Sequence, residues 1–414
     1  TTTGETNTGD TTTGGTDTTP IEVIEELPEA QTIETGVTAT PLVEKDNTTN
    51  PDVKTFVTTL TPATGETRVV EINSKNPNTN LEDNQIVSRV EGLDKVVVTR
   101  VEVNENGTST ITLESGLSET DVSAASSITS FVPDVVTDIE ADGSVSLKST
   151  TTNTTTNETK ESKVTINTDG TIEHTITLRD ANGVELVSTK VNSSAPNSNT
   201  TLLSDGTLQT RAEVLNEQTG EQTTVLVNSR ADGSANHIVS VKDSNGVEVV
   251  TRATSNIKGA QTTISASGEV HTKAQKSTQT QTTSFEATAK PNGEAMHEVV
   301  KTDIATGVAI SSKATFQIKG AQTNIDEDGK VETTVTSHTD QDGYIIKAVV
   351  ITDEEGESIT KFVKELSDGT QEEIQNTLQN NGKFEAGNEA TVFINEENRL
   401  QIDVITNVTK PLKF

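Results

Sequence analysis

Three histidines recur at one position of a repeated phrase, and their type and spacing could do chemistry. The phrase DGTIEHTITLRDANGVE (169–185) returns as DGSANHIVSVKDSNGVE (232–248), and His174, His237 and His297 each lie four residues after a turn glycine. A stack of such imidazoles would bind a metal or respond to pH at about 6 to 7. We favour the alternative, a polar position inside a thin core, because the spacing assigns Lys347 to this position in a fourth unit.

An acidic turn is the second candidate site. Asn324, Asp326 and Asp328 alternate before Gly329, as oxygen ligands do in the first half of a calcium-binding loop. The twelfth position of such a loop requires a bidentate Glu, and this chain has Val335 there. These three residues therefore predict a weak calcium site, with an ordinary acidic hairpin turn as the alternative.

The remaining chemistry-bearing residues form no catalytic pattern. The sequence has no Gly-x-Ser-x-Gly, phosphate-binding loop, dinucleotide fingerprint or His-Glu-x-x-His motif. Any acidic pair could hydrolyse a glycoside, but sugar clefts usually need aromatic platforms, and this chain has eight Phe, one Tyr and no Trp. The absence of Cys excludes disulfides and thiolate chemistry. We predict that the protein is not an enzyme and has no cofactor other than calcium.

Composition indicates a sheet protein with a thin core. Hydrophobic residues make up 30% of the chain and aromatics 2%, whereas Thr supplies 76 of 414 residues. Thr is β-branched and favours strands that face water. The net charge of −32 argues against nucleic acid and against anionic membrane surfaces. No apolar run approaches the ~18 residues of a membrane span, so we expect none.

Turn glycines recur at intervals of about 62 residues, which predicts repeated β units. Period-two alternation between the turns predicts about five short strands in each of four units, the last one shortened. IKGAQTTI (257–264) and IKGAQTNI (318–325) support the same register. The three predicted columns are Gly143, Gly206, Gly268 and Gly329; Gly170, Gly233, Gly293 and Gly343; and Gly183, Gly246, Gly307 and Gly356.

The predicted fold class is all-β, an elongated array of antiparallel repeats. Residues 118–128 are an exception, because Ser118 could cap a short helix there. The predicted regions are a Thr/Gly-rich low-complexity leader (1–20), an extended segment and possible donor strand (21–44), an N-terminal β domain (45–135), the repeat region (136–370) and C-terminal strands or a cap (371–414).

The Thr-rich leader and the glycine-column repeats resemble, in a general way, the β-rich stalks of bacterial surface adhesins and the subunits of extracellular matrix filaments. This resemblance implies an extracellular or cell-surface structural protein. We expect a subunit that self-associates into a homopolymer through inter-subunit strand contacts. The alternative is the stalk or spacer of an adhesin. Its N-terminal module would then bind a surface glycan, a matrix protein or another protein.

Overall fold

The computed structural model describes residues 108–118, 121–133, 135–139, 144–195, 197–339, 344–366, 368–374, 382–396 and 399–406, and the strand segments between Thr38 and Val103. All regular elements in this part of the chain are β-strands, which confirms the all-β class. The prediction of a short helix at residues 118–128 is wrong. It lies mainly in the strand Asp121–Ser130, where Ile128 and Ser126 alternate into the core. Alternation with period two therefore overrides the capping signal of Ser118.

The strands up to residue 193 begin with a long antiparallel meander and then cross to a second sheet. They are β1 (Thr38–Ala39), β2 (Val43–Lys45), β3 (Lys54–Thr61), β4 (Arg68–Ser74), β5 (Asn84–Gly92), β6 (Lys95–Val103), β7 (Ser109–Ser118), β8 (Asp121–Ser130), β9 (Val136–Ile139), β10 (Val145–Thr152), β11 (Thr159–Ile166), β12 (Ile172–Arg179) and β13 (Glu185–Ser193).

The strands after residue 193 repeat a pattern of one four-residue strand followed by longer ones. They are β14 (Asn199–Leu202), β15 (Leu208–Leu215), β16 (Gln222–Ser229), β17 (Ala235–Lys242), β18 (Glu248–Ser255), β19 (Gln261–Ile264), β20 (Val270–Ser277), β21 (Gln281–Ala289), β22 (Ala295–Asp303), β23 (Ala309–Phe316), β24 (Gln322–Ile325), β25 (Val331–Thr339), β26 (Ile345–Thr352), β27 (Ser358–Glu365), β28 (Gln371–Ile374), β29 (Gly382–Phe384), β30 (Asn388–Ile394) and β31 (Leu400–Thr406).

The strands form two facing sheets. The long sheet contains β1–β8, β14–β18 and β24–β29, and the short sheet contains β9–β13, β19–β23, β30 and β31. The chain therefore lays down one unit of five or six strands in one sheet and the next unit in the other. We number the units by their strands: unit one is β9–β13, unit two β14–β18, unit three β19–β23 and unit four β24–β29.

Units in the same sheet are joined by parallel pairs, so the sheets are mixed rather than purely antiparallel. Within a unit, hairpins pair the strands antiparallel. Between units, the last residues of a long strand run parallel to the first, short strand of the unit that lies next in the same sheet. The four parallel pairs are β8 with β14, β13 with β19, β18 with β24, and β23 with β30. The crossing between sheets makes these neighbours parallel, since the chain no longer returns by a tight hairpin.

Most of the described hairpins turn on a glycine that adopts a positive φ. In the turn 167–171, Gly170 N–H donates to Asn167 O at 2.9 Å and Asn167 N–H donates to Thr171 O at 2.9 Å. Gly170 has a φ of +82°, which a residue with a Cβ adopts only with strain. Asp169 also accepts from Thr171 N–H at 2.9 Å, which explains why Asp precedes the glycine in so many turns.

Strand pairing gives unit four a different alignment from the one that glycine spacing suggests. The turn between β26 and β27 contains Gly356, and this turn corresponds to the one with Gly293 between β21 and β22. The turn with Gly369 then corresponds to the one with Gly307. Gly343 lies outside the described residues. Glycine spacing placed Gly343 in the second glycine column and Gly356 in the third, where strand pairing places Gly356 and Gly369. This error made unit four look shorter than the others.

The core lies between the sheets and is made mainly of small and β-branched residues. It follows the array as four successive clusters, and three phenylalanines are fully buried in it: Phe285, Phe316 and Phe362. Thr and Ser also occupy many of the inward positions, and several of their hydroxyls bond to one another, to a histidine or to a turn carbonyl. Small inward residues let the backbones of the two sheets approach closely, and the hydroxyls of Ser and Thr can hydrogen-bond from one sheet to the other.

Candidate functional site

The repeated histidines lie in the core and hydrogen-bond to hydroxyl groups. His174, His237 and His297 are 0–1% exposed. His174 is on the short sheet, and its Nδ1 lies 2.8 Å from Thr210 Oγ1 on the long sheet. Its Nε2 lies 2.8 Å from Ser229 Oγ on the next strand of the long sheet. The imidazole therefore bridges the sheets.

The same bridge recurs in later units with the sheets exchanged. His237 is on the long sheet, and its Nδ1 lies 2.8 Å from Thr272 Oγ1 on the short sheet. His297 returns to the short sheet, with Nδ1 2.7 Å from Thr333 Oγ1 and Nε2 3.1 Å from Thr352 Oγ1. Consecutive histidines thus belong to opposite sheets, and the Nδ1 of each one hydrogen-bonds to a Thr hydroxyl of the facing sheet.

One ring nitrogen breaks this pattern. His237 Nε2 is buried and has no hydrogen-bond partner among the described residues. Strand pairing shows why: the residue that corresponds to Ser229 and Thr352 in unit three is Ala289, which pairs with Val270 as Ser229 pairs with Leu208. Ala289 supplies no hydroxyl.

Burial holds all three histidines neutral. It lowers the pKa of His174, His237 and His297 to about 3, since a charged imidazole would lose its hydration in the core. In unit four, strand pairing assigns this position to Thr360, which is 2% exposed, and not to Lys347. Lys347 instead pairs with Glu365. The histidine column therefore supplies hydrogen bonds between the two sheets.

A second set of hydrogen bonds ties each sheet to the turns of the other. A Ser or Thr hydroxyl from a strand donates to the carbonyl oxygen of a turn glycine in the opposite sheet. The members are Ser126 to Gly170 at 2.7 Å, Thr189 to Gly233 at 2.7 Å, Thr251 to Gly293 at 3.2 Å, and Ser312 to Gly356 at 2.6 Å. Regular spacing of Ser and Thr signals this set, but sequence alone does not show which turn each hydroxyl reaches.

The predicted calcium residues lie at the end of β24 and in the turn that follows it. Asn324 is exposed in the strand and pairs with Glu332. Asp326 begins the turn, and its Oδ1 accepts from Lys330 N–H at 2.8 Å, so one carboxylate oxygen already caps the hairpin. Asp328 is exposed at the tip. Among the described residues, no cluster of three or more His, Cys, Asp or Glu side chains is placed to share a metal ion.

The ends of the two sheets are the remaining candidate sites. The short sheet begins at β9 and ends at β31. β9 pairs with β10 on one side, and no described strand pairs with its other side. Such an edge presents backbone N–H and C=O groups that can bind another strand. In the described part of the chain, no helix has the length and apolarity needed to cross a membrane.

Comparisons with known proteins identify no family. No protein-family model matches the chain, and no curated protein matches it. Among solved structures, the chain is similar to one described as Hadza microbial sialidase Hz136, with 10% sequence identity and a TM-score of 0.16. The similarity covers 78% of this chain and 58% of the sialidase, so the chain spans less than two thirds of that protein. A score of this size indicates neither a common fold nor a common activity.

Proposed function

We propose that this chain is an extracellular structural protein, a subunit of a surface or matrix filament whose copies join by β-strand contacts. One observation carries the proposal. The array is built by one repeated operation, in which a short first strand adds in parallel to a long strand already in the same sheet. The sheet ends offer the same kind of edge that joins units inside the chain, which favours growth by the same contact between copies.

The chemistry of the core supports a structural role. The histidines that could do acid–base work are buried and bridge the two sheets. The hydroxyls that line the core bond to turn carbonyls or to one another. These groups add cross-links between the sheets where a chain poor in aromatic residues has little hydrophobic surface to bury.

The segment predicted as a donor strand (21–44) is partly used within its own chain. Thr38 and Ala39 pair with Thr61 and Leu60 of β3, and β2 pairs with β3 further along. Residues 21–37 lie outside the described residues. The donor strand that we propose is therefore limited to residues 21–37.

Negative-stain electron microscopy over a range of protein concentrations tests the proposal. The sample is the full chain, and the comparison is a variant that lacks residues 1–37 but keeps β1 and β2. We expect uniform filaments of the full chain. The long sheet has 19 strands, in which β1 and β2 share one side of β3 and β28 and β29 share one side of β27. The remaining sixteen spacings of ~4.8 Å make a single copy a rod of roughly 77 Å. Single rods at every concentration would contradict a filament and leave the stalk of an adhesin.

A binding module at the N-terminus is a further candidate for which the structure offers one observation. The strands β3–β8 of the predicted N-terminal domain continue the long sheet, since β8 pairs with β14 of unit two. A ligand-recognising region would thus be continuous with the long sheet of the array. Melting curves with and without candidate glycans test it, because a bound ligand raises the melting temperature.

A further inference from the structure

Three buried side-chain polar atoms lack a hydrogen-bond partner among the described residues, and they are grouped around one boundary of the array. They are Asn192 Oδ1, Asn236 Oδ1 and His237 Nε2. Asn192 pairs in parallel with Thr263 across the joint between β13 and β19. His237 faces β20, the strand next to β19, and Asn236 directly precedes it in β17. Since an unpaired buried polar atom lowers stability, the contacts between units two and three are weakened.

The histidine bridge between these two units is also the poorest. His174 gives unit one two hydrogen bonds to unit two, and His297 gives unit three two hydrogen bonds to unit four. His237 gives unit two one hydrogen bond to unit three, through Thr272 Oγ1. The boundary between units two and three therefore has one inter-sheet hydrogen bond fewer than the boundaries on either side.

The core at this boundary is built from the smallest side chains. Its cluster joins strands of units one, two and three and contains six Val, three Ala and one Ile: Val191, Ala195, Ala212, Val225, Val227, Val239, Val241, Ile264, Val270 and Ala289. The clusters nearer the ends contain larger residues, such as Leu147 and Leu208 in the first and Phe316 and Phe362 in the last. Small side chains bury less apolar surface and so stabilise their contacts less.

The one large aromatic side chain near this boundary packs toward unit four. Phe285 belongs to a cluster shared by units two, three and four, to which unit two contributes Ala235 and Ala253. A Cβ at Gly329 of unit four would lie 2.6 Å from Phe285 Cζ, so the ring is pressed against that turn. Phe285 therefore strengthens the contact between units three and four more than the contact between units two and three.

The connections within the sheets allow this boundary to open. In the described part of the chain, two parallel pairs of four residues cross it. They are Lys190–Ser193 with Gln261–Ile264, and Arg252–Ser255 with Gln322–Ile325. The chain itself crosses once, at 256–260. In a repeat array, each interface contributes its own stability, so the weakest interface opens first.

We propose that the folded array opens first between units two and three, and parts into an N-terminal block (β1–β18) and a C-terminal block (β19–β31) that both stay folded. Opening gives His237 Nε2 and Asn192 Oδ1 access to water, which removes the cost of their missing partners. The rod then bends at this boundary while the hairpins of each block remain paired. This inference concerns a single chain and does not depend on the proposed filament.

Hydrogen exchange of the full chain in native buffer tests the boundary, because one kind of backbone bond recurs at every joint. Opening breaks four of these bonds, the boundary set: Lys190 N–H to Ala260 O at 3.1 Å, Ser194 N–H to Ile264 O at 2.7 Å, Arg252 N–H to Ala321 O at 2.9 Å and Asn256 N–H to Ile325 O at 2.8 Å. Three matched bonds stay inside a block, the internal set: Ser127 N–H to Ser198 O at 3.1 Å, Phe131 N–H to Leu202 O at 2.8 Å and Gln317 N–H to Val392 O at 2.9 Å.

We expect the boundary set to exchange together, at least about tenfold faster than the internal set after correction for intrinsic rates, because sub-global opening exposes only the bonds that cross the boundary. Mass spectrometry of the labelled peptides measures both sets. Equal rates in the two sets would overturn the inference. Faster exchange at Ser127 and Phe131, or at Gln317, would overturn it as well, since the array would then open at another joint.

Ala289→Ser in the full chain tests the cause of the opening, because the new hydroxyl gives His237 Nε2 a partner across the boundary. We expect the boundary set to exchange about fivefold more slowly, the factor that one additional hydrogen bond supplies. The control is Ala314→Ser, which adds the same hydroxyl at a buried position of β23 and should not slow the boundary set. An unchanged rate in folded Ala289→Ser would overturn the inference. The comparison of the two sets in the unsubstituted chain requires neither variant.

Discussion

At the scale of single residues, the buried histidines act as cross-links between the sheets. Each imidazole sits among residues of both sheets, and its nitrogens bond to hydroxyls at 2.7–3.1 Å. The exception is His237 Nε2, because Ala289 stands at the position that carries Ser229 and Thr352 in the other units. A buried polar atom without a partner costs roughly 1–3 kcal/mol. Unit three is therefore the unit in which a single hydroxyl would stabilise most.

Ala289→Ser tests this reading of the unpaired nitrogen. We expect the free energy of unfolding to rise by about 1 kcal/mol, because the new hydroxyl gives His237 Nε2 a partner. Ser229→Ala is the matched opposite change, since it removes the hydroxyl that bonds His174 Nε2. It should lower the stability by about 1–3 kcal/mol. Denaturant unfolding measures both, and a destabilising Ala289→Ser would contradict the assignment.

The neutral histidines also predict acid sensitivity. In the unfolded chain an imidazole takes up a proton below its ordinary pKa of about 6.5. In the folded chain the pKa of His174, His237 and His297 is about 3, so they stay neutral. Stability from these groups is complete above about pH 6.5 and is lost as pH falls toward about 3. Each histidine contributes a slope of about 1.4 kcal/mol per pH unit inside that window.

Melting curves at about pH 7.5 and about pH 5 check the sign of this effect. His174→Gln is the informative variant, since an amide does not titrate and still offers hydrogen-bonding groups. It should show a smaller loss of stability between the two pH values than the unsubstituted chain, whatever its stability at neutral pH. Carboxylates whose pKa is lowered, such as Glu286, respond only at more acidic pH. Equal losses in both proteins would argue against buried, neutral histidine.

At the scale of elements, the sequence predicted the hairpins well and the contacts between units poorly. Asp-Gly pairs fix the local turn, so β12 and β17, which follow Gly170 and Gly233, could be placed from spacing alone. The pairs that join units are separated by about 70 residues, as Arg252 is from Gln322, and carry only a four-residue register. Local pattern holds no information about which distant strand is the neighbour.

For the candidate sites too, the sequence predicted the local position of a residue well and its distant partners poorly. Alternation correctly placed the histidines on the inward face, but only the facing sheet identifies their hydroxyl partners. The glycines of unit four were assigned to the wrong columns for a similar reason. Gly343 and Gly356 both follow acidic residues, and strand pairing is needed to decide which turn corresponds to Gly293. Asp326 was predicted as a ligand from its spacing with Asn324 and Asp328, and the structure shows its Oδ1 accepting from the N–H of Lys330.

Two turn glycines allow the backbone effect to be separated from packing. Gly183 and Gly233 have φ values of +81° and +88°. A Cβ at Gly183 would meet nothing within 4 Å, whereas one at Gly233 would lie 2.8 Å from Val187 Cγ1. Gly183→Ala should therefore cost only the ~1–2 kcal/mol of the left-handed conformation. Gly233→Ala should cost a further ~1–3 kcal/mol from overpacking. Chemical denaturation gives both values, and equal losses would contradict the close approach.

At the scale of the whole molecule, the net charge destabilises the folded chain. A net charge of −32 on 414 residues makes the folded chain repel itself. The described ion pairs are mostly at the surface, where each contributes little. Stability and assembly should consequently depend on the ions in solution.

We expect the melting temperature to rise when NaCl is increased from about 0.01 M to about 0.3 M, because salt shortens the range of the repulsion. At constant ionic strength, calcium and magnesium separate general screening from the site predicted at Asn324, Asp326 and Asp328. A shift larger for calcium than for magnesium, and lost in Asp328→Asn, would support a calcium site. Equal shifts with both ions, unchanged in that variant, would show that the turn binds neither ion specifically.

The alternation of units between the sheets gives the molecule a pseudo-screw axis. Each unit is carried onto the next by a half-turn and by an advance of two and a half strand spacings, about 12 Å. Every internal unit therefore meets the same kind of neighbours, as the recurring His–Thr bridges and the hydroxyl–glycine bonds show. Gene duplication of one unit would lengthen the rod by one step of about 12 Å without a new type of contact. The length of such a protein can therefore change during evolution by whole units.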